Sequence, residues 1–213
     1  LPKTGEGSGA KVLFVTSTIA GEGKSFVSIN LAASLALTNK KVLLLGLDLR
    51  APKITEYLGI AYRKGVTNYI LDDKLNVDDL KFTIPQVENV DFISSGVIPP
   101  NPSELLSNYR VKELFEIVKK DYDFVIVDTA PVALVADTLL IADFADMFLY
   151  VARANFVDKR MLIVPKKLYE EKKLPNMAIL LNDTDSERGY GYSYGYEKES
   201  KKSYYKTFFS LLK

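Results

Sequence analysis

Apolar residues along this chain fall into short continuous runs separated by longer stretches with helical spacing. "KVLFVTS" (Lys11 to Ser17) reads as a buried strand, and "KSFVSINLAASLALTN" after it places apolar residues on one helical face. "KKVLLLGLDL" (Lys40 to Leu49) predicts a second strand and "VDFISSG" (Val90 to Gly96) a weaker third. "PSELLSNYRVKELFEIVKKD" predicts helical turns, the first capped by Ser103. "YDFVIVDTA" reads as a strand, "LVADTLLIADF" as a helix and "ADMFLYVARA" as another strand. "KRMLIVPKKLYEEKK" predicts a helix interrupted or kinked at Pro165, and "NMAILLND" a last strand. Continuous apolar strands alternating with helices indicate an α/β fold with a mainly parallel sheet covered on both faces. From about Asp183 the apolar pattern stops and a Gly/Tyr/Ser/Lys tail begins. The expected organisation is a linker over 1–10, a domain over 11–186 and a tyrosine-rich tail over 187–213.

Composition narrows the chemistry. The 213 residues suit one sizeable domain, 47% are apolar, and the formal net charge of +1 implies no general attraction to nucleic acid or membrane. There is no cysteine and no histidine, which excludes disulfides, thiol nucleophiles, His-ligated zinc and imidazole acid–base work. Catalysis would have to run on carboxylates, Lys, Arg, Ser/Thr, Tyr or bound Mg²⁺. The richest apolar region is interrupted by Asp128, Asp137, Asp143 and Asp146, as an α/β core would be and a membrane span would not. The chain starts at Leu1 without Met, as a fragment would, and its opening "LPKTG" reads as a coincidental match to a sorting signal.

Three motifs carry chemistry. The first strand runs into "TSTIAGEGKSF", where Gly21, Glu22, Gly23, Lys24, Ser25 and Phe26 occupy the place of a phosphate-binding loop. Glycines let backbone amides curl around phosphates, Lys24 reaches the β/γ-phosphates and the Ser25 hydroxyl can ligate Mg²⁺. The standard pattern has Gly where Thr18 stands. In "YDFVIVDTAP", Asp128 ends a strand beside that loop, where it can hold the Mg²⁺ shell. In "VLLLGLDLRAP", Asp48 ends another strand. A second carboxylate there could orient water, bind a metal-bound water or accept a proton from an incoming hydroxyl. The plain alternative is a strand-end Asp paired with Arg50, and Arg50 itself either does that or neutralises charge near the transferring phosphate.

These motifs, with "SGVIPPNPSELL" (Ser95 to Leu106) and the tyrosine-rich C-terminus, resemble the cytoplasmic domain of bacterial tyrosine kinases that control capsule and exopolysaccharide export. The loop and two strand-end acids are shared with the wider MinD/ParA-like class of P-loop ATPases, whose signature lysine position is here Ile19. The resemblance implies ATP and Mg²⁺ as cofactors, a Walker A loop over Gly21 to Ser25, an A′ motif at Asp48 and a Walker B acid at Asp128. It implies Asp48, Asp128 and Ser25 around the metal, and catalytic roles for Lys24, Arg50, Asp48 and Asp128. Asn182, at the end of the last strand, stands where related ATPases contact adenine. The family usually has two A′ acids, the first often taken as the tyrosine base. That position is Gly46, so either Asp48 is the base alone or the hydroxyl is activated with less help.

The resemblance also makes the tail the substrate, with Tyr190, Tyr192, Tyr194, Tyr196, Tyr204 and Tyr205 as phosphorylation sites. Over 187–213 six Lys/Arg against three Glu give +3, which favours approach to a phosphate-bearing cleft. A tail rooted at the last strand suggests transfer in trans within a homo-oligomer, the family's assembly being a ring built through a helix upstream of the first strand. Further implied partners are a membrane-anchored co-polymerase or activator segment and a cognate tyrosine phosphatase, with no nucleic acid, at the cytoplasmic face of the bacterial inner membrane. The rival readings are a nucleotide-switched ATPase and a degenerate scaffold of an export complex.

Overall fold

A computed structural model of the chain describes residues 9–61, 63–84 and 87–184. The six tail tyrosines assigned above therefore lie outside the described residues. Among the described residues the sheet has seven strands: β1 (Lys11–Ser17), β2 (Val42–Gly46), β3 (Phe82–Thr83), β4 (Val90–Ile93), β5 (Phe124–Asp128), β6 (Met147–Arg153) and β7 (Ala178–Asn182). Their order is β3-β4-β2-β5-β1-β6-β7, parallel throughout except for the two-residue β3 against β4.

Side-chain alternation splits the core in two, as a sheet covered on both faces requires. Val12 and Phe14 of β1 and Leu43 and Leu45 of β2 face one cluster. It is closed by α3 (Val66–Leu71), α4 (Pro102–Leu106), α5 (Tyr109–Asp121) and α7 (Ile163–Glu170). Val15, Val42, Leu44 and Ile126 face the other, closed by α1 (Lys24–Ala36) and α2 (Ile54–Tyr57). The remaining short helix is α6 (Asp137–Leu140). Among the described residues no helix is long and apolar enough to cross a membrane.

Four sequence expectations need correction. The second strand is β2, 42–46, not Lys40 to Leu49, because Asp48 turns back to accept the amides of Arg50 and Ala51 and draws the chain out of the sheet. Ser103 does not cap its helix: α4 starts at Pro102 after Asn101, and the Ser103 hydroxyl instead donates to Asp137 at 2.6 Å. The segment "LVADTLLIADF" is the four-residue α6 and a 3₁₀ turn at Ala142–Phe144, not one helix. Pro165 does not kink a helix. It lies in the first turn of α7, where the missing N–H has no intrahelical acceptor to lose, and a 3₁₀ turn at Lys159–Leu162 precedes it.

Register fixes what meets at the C-terminal edge of the sheet. Asp128 pairs with Val15 on one side and Gly46 on the other. The loops after β1, β2 and β5 therefore emerge together, the position at which parallel α/β sheets build ligand clefts.

Candidate functional site

The loop from Thr18 to Gly23 is held from within. Thr18 is buried, and its hydroxyl accepts from the Tyr150 hydroxyl at 3.0 Å. Burial pushes the Tyr150 phenol up to about 12, so it stays a donor. The Ser17 hydroxyl donates to the Ile19 carbonyl at 2.7 Å, and the Ile19 amide donates to Glu22 Oε2 at 2.8 Å. Glu22 is thus fully buried, its side chain turned inward as a staple, and it is not among the residues that line the cleft. Gly21 (φ 90°) and Gly23 (φ 96°) take left-handed conformations that L side chains rarely adopt. A Cβ on Gly23 would stand 2.2 Å from the Asn182 amide nitrogen.

Gly23 then N-caps α1, thirteen residues long, with no side-chain cap and no acid in the first turn. The partial positive charge at that helix N-terminus favours an anion. Lys24 and Ser25 are the first two helical residues and both are buried. Lys24 forms no ion pair among the described residues. Ser25 Oγ donates to Asp128 Oδ2 at 2.6 Å, and Ser28 Oγ reaches Asp128 Oδ1 at 3.4 Å. Burial pushes the Asp128 carboxyl up to about 6 against the pull of nearby Lys24 and the Ser25 hydrogen bond, and Asp48 adds to the rise.

Asp48 is 5% exposed. Its Oδ1 accepts from the amides of Arg50 and Ala51, while Oδ2 accepts no hydrogen bond among the described residues. The Arg50 guanidinium goes elsewhere, to Asp137 at 2.6 Å, so of its two alternatives the side-chain pairing with Asp48 is not the one seen. That hydrogen bond raises the Arg50 pKa further. Burial alone would raise Asp137, but the bonds from Arg50 and Ser103 outweigh it and hold this carboxyl below its ordinary value.

Gly21, Gly23, Lys24, Ser25, Phe26, Asp48, Arg50 and Asn182 all line one cleft of about 540 Å³. Asn182 Nδ2 donates to the Glu22 carbonyl at 2.9 Å, fastening β7 to the loop. Asp128 lies just behind, in a cavity of about 10 Å³ that it shares with Gly46, Asp48 and Ser95. A Cβ at Gly46 would meet the Ser95 amide nitrogen at 3.1 Å, so the absent A′ acid leaves a tight space and not an open one.

The pattern missed two site residues. Asp137 was legible only as an acid inside an apolar stretch. Arg153, at the end of β6, bridges the Gly21 carbonyl at 3.2 Å and Asp183 at 3.0 Å. Its signal was a cation at a strand's C-terminal end.

The arrangement fits polyphosphate and a divalent cation. The N-terminus of α1 and two left-handed glycines suit phosphate oxygens, Lys24 is a buried cation, and the Ser25–Asp128 pair offers hard oxygen ligands. Among the described residues no group of three acids could hold a metal alone, so such a cation would depend on the phosphates too.

A family model described as an AAA domain matches residues 10–153. The tyrosine-protein kinase CpsD of Streptococcus agalactiae serotype Ia is 33% identical over 183 residues, covering 85% of this chain and 78% of that protein. The chain spans only 19% to 25% of the length of other curated relatives named as tyrosine-protein kinases. The kinase domain of the Escherichia coli tyrosine kinase ETK superposes with a TM-score of 0.78 at 30% identity, covering 88% of this chain and 73% of that one. The fold alone recurs in the septum site-determining protein MinD of Pyrococcus horikoshii, complexed with Mg-ADP, at a TM-score of 0.64 and 18% identity. There the match covers 81% of this chain and 70% of that one.

Proposed function

The chain belongs to the bacterial tyrosine-protein kinase family of capsule and exopolysaccharide loci, and from that premise we propose that it transfers the γ-phosphoryl group of ATP to tyrosine. The observation that supports this most is the convergence of Lys24, Ser25, Asp48 and Arg50 on one cleft backed by Asp128.

In this reading the loop amides and Lys24 bind and orient the β- and γ-phosphates. Ser25 and Asp128 would hold Mg²⁺, with Asp48 adjoining, and the ion would offset phosphate charge when bound. The phenolic oxygen forms a bond to the γ-phosphorus as the bond to the β–γ bridging oxygen breaks, and ADP leaves with that electron pair. The phenolic proton passes to Asp48, whose Oδ2 is free to take it. With Gly46 at the other A′ position, Asp48 is the base alone. Asn182 flanks the adenine.

The acceptors are Tyr190, Tyr192, Tyr194, Tyr196, Tyr204 and Tyr205. Asp183 lines the cleft, and Tyr190 stands seven residues further on, within about 25 Å of extended chain. Reach alone therefore permits a chain's own site as well as a neighbour's. Transfer runs in trans within a homo-oligomer in this reading, as in the sequence expectation. A membrane-anchored activator segment and a tyrosine phosphatase complete the system at the cytoplasmic membrane face. Mixing Lys24→Met chains that keep the tail with active chains lacking it yields phosphorylated tail. Unmodified tail in that mixture, with wild type self-phosphorylating, means cis transfer.

A further inference from the structure

The Arg50 side chain is anchored at three points by residues far apart in sequence. Nε and Nη2 donate to the two oxygens of Asp137 at 2.6 and 3.1 Å, and Nη2 also donates to Ser103 Oγ at 3.2 Å. Ser103 Oγ in turn donates to Asp137 Oδ1 at 2.6 Å. Of the five guanidinium N–H groups three are engaged, and the two on Nη1 make no hydrogen bond among the described residues. The Asp137 side chain is 2% exposed and that of Arg50 41%, so the pair has a buried anion and a cation open to the cleft.

This asymmetry restrains the arginine. A buried carboxylate stripped of its partner is costly, so Arg50 cannot swing into solvent without leaving Asp137 unpaired. A capping role does not explain Asp137. It is the first residue of a four-residue helix, and its oxygens accept only from Arg50 and Ser103 among the described residues. The Arg50 backbone is fixed as well, its amide on Asp48.

We propose that Asp137, assisted by Ser103, is a positioning residue: it aims the Arg50 guanidinium so that Nη1 donates to the phosphoryl group in transit. Ser103 belongs to the "PPNPSELL" segment and Asp137 follows the Walker B strand, so the network ties both segments to the A′ arginine. The inference rests on the phosphoryl-transfer reading above. Charge on the phosphoryl oxygens must be met from fixed positions, and misplacement by about 1 Å can cost a hundredfold.

The test compares affinities of the full chain for Mg·ADP and for Mg·ADP with fluoroaluminate, which mimics the phosphoryl group in flight. Wild type binds the fluoroaluminate complex more tightly. Asp137→Asn leaves the ADP affinity within about twofold but cuts that preference by roughly 10- to 100-fold, and adds nothing in an Arg50→Gln background. Equal loss for both ligands, no preference in wild type, or an undiminished effect without Arg50 overturns the proposal. Where Asp137→Asn lacks a cooperative melt, Ser103→Ala, which keeps the ion pair, carries the test. It shifts the preference by roughly 3- to 10-fold, and an unchanged preference counts against the proposal. Absence of phosphotyrosine from wild type with Mg·ATP would instead remove the kinase reading, whatever the fluoroaluminate ratio.

Discussion

Gly23 shows how much a single position can dictate. It combines a left-handed backbone with a side-chain amide, that of Asn182, pressed against the missing Cβ. Gly23→Ala should cost about 1–3 kcal/mol through backbone strain, beyond the clash. It should also weaken ADP binding at least about tenfold, because the loop amides lose their aim. Adding Asn182→Ala should restore part of the melting temperature but not all, since the strain remains. A Gly23→Ala chain that melts and binds like wild type would contradict the loop geometry. The loop itself was legible from its glycines and Lys24. The inward turn of Glu22 was not, because nothing local says whether a carboxylate reaches Ile19 or solvent.

Between elements, legibility followed the range of the interaction. β1, β5 and β6 were readable because their apolar runs are buried on both faces or nearly so, whereas β7, an edge strand with Ile179 and Leu181 exposed, was readable from its apolar run alone. The short α6 was not. Its apolar spacing continues through Ala142–Phe144 while the backbone breaks, and Asp137 at its start serves Arg50 87 positions earlier. The same pair predicts an acid-limb effect. The Asp137 carboxyl is held below its ordinary value of 3.8 in the folded chain. A depressed native pKa contributes stability that is fully present above that ordinary value and is lost as pH falls through the lower native one. Wild type and Asp137→Asn should therefore differ most in melting temperature at pH 5 to 7 and converge toward pH 2. A constant difference across that range would mean the carboxylate charge is not what the fold uses.

For the molecule as a whole, fold and family were within reach of the sequence, since a parallel sheet, a phosphate loop and two strand-end acids constrain each other. The partner of Arg50 was not, because a pairing between Arg50 and Asp137 depends on which loops share a sheet edge. Membership of the family, with CpsD 33% identical across most of both chains, supports tyrosine as the acceptor. The proposed transfer from Mg·ATP carries a metal prediction. A chelator should abolish turnover and added Mg²⁺ restore it, and with no acidic cluster among the described residues Mg²⁺ should bind measurably only with nucleotide present, as calorimetry would show. In the proposed function this cleft phosphorylates tyrosines of its own chain type with Asp48 as the single A′ carboxylate. The most direct test is incubation with Mg·ATP followed by mass spectrometry of residues 187–213, comparing wild type, Lys24→Met and Asp48→Asn. Wild type should carry phosphotyrosine among Tyr190 to Tyr205 and Lys24→Met none. For Asp48→Asn the rate should be lower by roughly 10²- to 10⁴-fold. ADP and free phosphate released from wild type with an unmodified tail would contradict the proposed function.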